Sequence, residues 1–229
     1  MKVEVLADAD AVARAAAAII AVEARAAVAA RDRFVMAVSG GRAARLMLRA
    51  LAVEDVPWKA THVVQVAEVM APPRDPERTV TDLRESLLLH TPLPPQHLRA
   101  MPVECAAAAR YAETLAEVAG TPPVIDLVHL GLGTEGDTAA LLPGDPVLDV
   151  TDADVALTGV RHGRQWMTLT YPLIDRARSR LWVVTGSDKT AMLARLRDGD
   201  RSIPAGRICQ DHAFVVADRM AAGDRGPRY

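Results

Sequence analysis

The stretch DLVHLGLGTEGDTAALLPGD, residues 126–145, is where side-chain type and spacing first point to chemistry. Its apolar run ends in Gly131, Gly133 and Gly136, spaced as G-x-G-x-x-G, and Asp137 follows at once. Such a loop can cradle a pyrophosphate, hold a sugar phosphate, or carry a working carboxylate. The first use needs a long helix opening at the third glycine, with its N-terminal N–H groups on the anion and a βαβ unit around it. Only DTAALL stands here before Pro143 and Gly144 end any helix. The pattern therefore argues against a nicotinamide or flavin cofactor. It predicts a tight turn and one helical turn that present Asp137 and Thr138 to a cleft.

A second loaded stretch is AVSGGRAARLML, which sets Ser39, Gly40 and Gly41 between a buried strand and the start of a helix. Free backbone N–H groups at such a junction can face an anion. The alternative is a glycine turn that serves backbone geometry alone. The Gly-Lys-Ser/Thr ending of a nucleotide-binding P-loop is absent. A third strand end carries Ala67, Glu68 and Val69. Cys105 and Cys209 stand far apart with no metal-ligand spacing around them, so two free thiols and no metal site are expected. His129 falls inside a strand and reads as a hydrogen-bonded core histidine. Cys209 and His212 make a catalytic dyad only if an oxyanion site lies beside them.

The elements that must position these residues alternate. Short β-branched runs (KVEVLA, FVMAVSGG, HVVQV, the run before Gly131, RLWVVTG, FVVAD) alternate with amphipathic or alanine-rich helical stretches. The helical stretches lie near 10–30, 43–51, 81–90, 106–119 and 188–197, and 155–170 reads as a hairpin. The pattern predicts an α/β fold with a mainly parallel sheet covered on both faces, and ligands at the carboxyl ends of its strands. Residues 1–229 read as one domain with a polar tail at 223–229. A net charge of −2 and a pI near 6.3 offer no bulk attraction to nucleic acid or an anionic membrane. No apolar run approaches a bilayer span. A cytoplasmic protein with a small-molecule substrate, monomeric or a small homo-oligomer, is the expectation.

Taken together, these blocks resemble the 6-phosphogluconolactonase family, related to the glucosamine-6-phosphate isomerase/deaminase fold. The resemblance is carried by AVSGGR at 37–42, VVQVAEVMAPPRDPERTVTDLRESLL at 63–88, the stretch from 126 to 150, MTLTYPLIDRAR at 167–178 and VVTGSDKTAML at 183–193. It implies a Rossmann-like α/β fold, no cofactor or metal, and hydrolysis of a phosphorylated sugar lactone in the pentose phosphate pathway. Lys189 matches a family lysine that meets an anion.

The departures fall at the pocket. Where the family usually reads Asp-Glu-Arg, this chain has Ala67, Glu68 and Val69. Asp137 stands where a histidine is expected, Trp166 beside Met167 where an arginine is, Thr79 where an asparagine is, and Ala43-Ala44 where Thr-Pro is. A carboxylate is a poorer base than imidazole near neutral pH, and two positions for phosphate-binding cations are now apolar. The lactonase activity is therefore expected to be impaired. Changes gathered at one pocket, most of them from polar to apolar, suggest re-lining, natural or engineered, rather than scattered decay.

Within such a lining, formed by Ala67, Val69, Trp166 and Met167, a carboxylate loses solvation, and desolvation raises carboxylate basicity. Asp137 is then a candidate general base, with Glu68 as its substitute. Trp166 offers a stacking face for a flat ligand, and Ser39, Thr138 or Lys189 a donor for developing negative charge. The expected chemistry is proton abstraction from a small aromatic carbon acid, a Kemp-type elimination. A genuine or weakened 6-phosphogluconolactonase and a ligand-binding pseudoenzyme are the alternatives.

Overall fold

A computed structural model describes residues 1–224 except Arg74 and Cys105; the end of the expected polar tail, 225–229, and the Cys105 thiol lie outside the described residues. In chain order the elements are β1 (Lys2–Leu6), α1 (Ala9–Arg31), β2 (Phe34–Val38), α2 (Arg42–Leu51), β3 (Thr61–Gln65), β4 (Ala67–Val69), α3 (Thr79–Ser86), β5 (Leu98–Arg99) and α4 (Ala107–Ala119). There follow β6 (Leu127–Leu130), β7 (Val155–Leu157), β8 (Trp166–Leu169), α5 (Tyr171–Arg176), β9 (Ser179–Val184), α6 (Thr190–Arg197), α7 (Pro204–Arg207) and β10 (Ala213–Asp218).

Seven strands form one parallel sheet in the order β1-β10-β9-β6-β2-β3-β5, the α/β architecture that the alternation predicts. Both faces are covered, which is why β2 and β9 are buried at every position rather than alternating. Phe34, Met36 and Val38 of β2 pack with α1 and α2 on one face; Val35 and Ala37 pack with α4 to α7 on the other. The α1 start is set by Asp8, whose side chain accepts from the Ala11 N–H at 2.8 Å.

The hairpin β7–β8 recruits β4 as a third antiparallel strand, a separate small sheet that sequence patterning did not reveal because three residues carry no period. Its register sets Ala67 opposite Thr168, Glu68 opposite Met167 and Val69 opposite Trp166. Successive side chains of a strand point to opposite faces. Met167 therefore turns away from Trp166 and joins the core with Val155 and Leu169.

Candidate active site

A cavity of about 780 Å³ opens at the carboxyl ends of β2 and β6, where Gly40, Gly41, Gly131 and Gly133 bring backbone close to the void. Ser39, Ala67, Thr138, Asp137 and Trp166 share its wall, so most of the residues chosen from sequence do converge. Arg45, Glu77, Asp82, Glu135, Arg161 and His162 line it as well and were missed. Glu135 was legible two places before Asp137. Arg161 and His162 sit in the polar RHGR run between β7 and β8, which was read only as a hairpin loop.

The loop that bears Asp137 differs from expectation. No helical turn follows Gly136; Thr138 and Leu141 pair as an isolated bridge around a two-residue turn. Ala139 and Ala140 at its tip have φ of 54° and 58°, left-handed values that cost L-residues on the order of 1 kcal/mol each. The Leu141 N–H to Thr138 carbonyl bond at 2.7 Å and a bond from the Thr168 hydroxyl to the Ala139 carbonyl hold it. The ring of glycines has a local cause. The Gly133 N–H donates to the Asp137 carbonyl at 2.8 Å, and the Asp137 carboxylate lies over Gly133 and accepts from the Glu135 N–H at 3.3 Å. A Cβ at Gly133 would stand 1.8 Å from Asp137 Oδ1. Gly133→Ala is therefore expected to drive that carboxylate off its position, lowering turnover tenfold or more while leaving the melting temperature within a few degrees; steady-state rates and a thermal melt check it.

Several sequence choices stand elsewhere. Glu68 is fully buried and off the cavity wall, its oxygens accepting from the N–H groups of Val69, Thr79 and Val80 and from Gln65 Nε2. A carboxylate so saturated anchors the start of α3 and is not a free base. Val69 and Met167 are buried and also off the wall, Met167 because strand alternation turns it into the core. Lys189 lines a neighbouring cavity of about 610 Å³, which shares Gly40, Gly41, Gly131 and Leu132 with the first, and its Nζ is 3.0 Å from Asp188. The hydroxyls of Ser39 and Thr138 donate to the backbone carbonyls of His129 and Gly131 at 3.0 and 2.8 Å, so both are already used. Among the described residues no group of three or more His, Cys, Asp and Glu could hold a metal, and no helix is long and apolar enough to cross a membrane.

His129 is only half satisfied. Its Nδ1 accepts from the Ser39 N–H at 3.3 Å, whereas buried Nε2 has no partner among the described residues. Burial pushes its pKa down to about 4. The unfolded chain, with a histidine near 6.5, binds the proton first. Stability is then complete above pH about 6.5 and falls by about 3 kcal/mol as pH drops towards 4, where the folded form protonates too. His129→Asn keeps an acceptor for Ser39 and should flatten that slope, measured by urea unfolding between pH 4 and 7.5. His62 shares the window: burial first, then His97, Arg99 and Arg33, lower its pKa to about 4.

The family model described as Glucosamine-6-phosphate isomerases/6-phosphogluconolactonase matches residues 7–217. The chain belongs to this family. Among curated 6-phosphogluconolactonases, that of Mycobacterium leprae is 31% identical over 240 residues (96% of this chain, 96% of that protein), and that of Rattus norvegicus 33% over 192 residues (78% and 74%). The solved 6-phosphogluconolactonases of Trypanosoma brucei and Trypanosoma cruzi superimpose with TM-scores of 0.83 and 0.87 at 21% identity. They cover 98% and 99% of this chain, and are themselves covered to 98% and 97%. At that identity they speak for the fold. Set in the family, the register of the small sheet acquires meaning: the two positions where family resemblance implies cations, Val69 and Trp166, are direct cross-strand partners. In this chain both are apolar.

Proposed function

We propose that this chain is a lactone hydrolase of the 6-phosphogluconolactonase kind, opening the cyclic ester of a sugar acid with Asp137 as the base. The observation that carries the reading is a carboxylate at the family's histidine position, held over Gly133 on the wall of a cavity that also takes in Gly40 and Gly41 before the α2 start. Helix α2 has no side-chain cap, so its first N–H groups are free for an oxyanion. Asp137 accepts a proton from water as the water oxygen attacks the lactone carbonyl carbon. The tetrahedral oxyanion faces the α2 start, the ring C–O bond breaks, and the proton passes to the departing ring oxygen, leaving a hydroxyl. The new carboxylic acid loses its proton to solvent.

A carboxylate is a weaker base than imidazole, so turnover below that of the histidine-bearing relatives is expected at neutral pH. Base uptake on adding 6-phosphogluconolactone or its unphosphorylated counterpart, followed against the spontaneous rate, tests the proposal. A binding-only protein is the second reading, favoured by the Ser39 and Thr138 hydroxyls being spent on backbone; ligand-induced melting shifts without turnover would support it. The aromatic proton-abstraction reading loses its footing. Val69 and Met167 do not line the cavity, several charged groups do, and the family relatives point to hydrolysis.

A further inference from the structure

The cavity wall carries a charge imbalance. Four carboxylates, Glu77, Asp82, Glu135 and Asp137, face two guanidinium groups, Arg45 and Arg161, a formal −2 with histidine left out. Both cations are engaged. Arg45 Nη1 reaches the two oxygens of Asp82 at 3.2 and 3.0 Å, and Arg161 Nη1 stands 3.5 Å from Glu135. Glu77 is held from outside the wall by Arg164 at 3.0 Å, whereas Asp137 has no ion-pair partner among the described residues. Ala67 and Trp166 make part of the wall apolar, and Val69 pairs with Trp166 across the strands.

We propose that this cavity selects an uncharged lactone, one whose ring carries hydroxyls but no phosphate; the inference rests on the lactone-hydrolase reading above. A phosphate dianion entering here would meet Asp137, which no cation among the described residues pairs. Exposed ion pairs are weak and their arginines can swing to an incoming anion, but each swing leaves Asp82 or Glu135 bare beside the same ligand. A neutral ring escapes both penalties and can lay its C–H face on the Trp166 indole, while hydroxyls meet the carboxylates as hydrogen-bond donors.

The test compares glucono-δ-lactone with its 6-phosphorylated form on the full chain, as initial rates at low and high salt. The neutral lactone should show kcat/KM at least tenfold higher. The gap should shrink as salt shortens the Debye length from about 10 Å at 0.1 M to about 3 Å at 1 M. The variant Trp166→Arg, which puts a cation on the wall itself, should narrow the gap; should it fail to fold, the salt series on the unaltered chain decides. Equal or better use of the phosphorylated lactone, or a gap that salt leaves unchanged, overturns the inference and leaves the hydrolase reading standing. Neither lactone being opened removes both.

Discussion

Replacing Asp137 by asparagine lowers kcat/KM for lactone opening by 10² to 10⁴, the range over which a positioned general base contributes, or about 3–5 kcal/mol of barrier. Asparagine keeps an oxygen to accept the Glu135 N–H and fills the same space over Gly133, so the turn survives and stability should change by less than about 1 kcal/mol. The loss then belongs to chemistry. Steady-state rates beside a urea melt on the same preparation check it, and unchanged turnover would take Asp137 out of the mechanism. The reciprocal change, Asp137→His, puts an imidazole on the same loop and should raise turnover at pH 7, with activity climbing through a pH near 6.5.

Glu68→Ala should be the most destabilising single change in the pocket region, by about 3–5 kcal/mol. The fully buried carboxylate receives four N–H donors at 2.8–3.1 Å: the Thr79 and Val80 N–H groups at the start of α3, the Val69 N–H and Gln65 Nε2. Arg78 Nε stands 3.4 Å from Oε2, close enough to balance charge without a hydrogen bond, while its Nη2 donates to the Met101 carbonyl at 3.1 Å. Truncation leaves those donors dry and Arg78 buried without a counter-ion. Glu68→Gln retains one acceptor oxygen and should lose roughly half as much. Urea midpoints for the two variants give the comparison. A loss under about 1 kcal/mol for alanine would mean that water replaces the carboxylate, and that Glu68 is no hub. Because Thr79 lies on the cavity wall and its N–H is bound by Glu68, the folded fraction of the alanine variant should also work more slowly.

Much of the scaffold could be read from periodicity. The Phe34–Val38 strand and the 155–170 hairpin follow from local rules of burial and turn chemistry, and the structure agrees with both. The Ser39-Gly40-Gly41 and Gly131–Asp137 turns were legible for the same reason, since glycine clusters after apolar strands mark strand ends. Expectations failed where one neighbour could not be inferred from another. The helical turn after Gly136 became a reverse turn because Thr138 and Leu141 bridge and Thr168, from β8, ties down Ala139. Lys189 went to an adjoining cavity, and Met167 went to the core because it alternates with Trp166 along a strand.

By itself, then, the sequence determined the alternation of the longer strands and helices, the family, and the concentration of unusual residues around Asp137. Only the tertiary structure decided what those residues can do. A pattern of residue types states which groups exist, but whether a carboxylate is saturated like Glu68 or, among the described residues, left without a cation like Asp137 depends on which strangers in the chain meet it. Val69 and Trp166, 97 residues apart in the chain, meet where β4 pairs with β8, and Arg45 and Asp82 are brought together across α2 and α3. Local forces write the elements, and packing between distant elements sets the charge and the shape of the cavity.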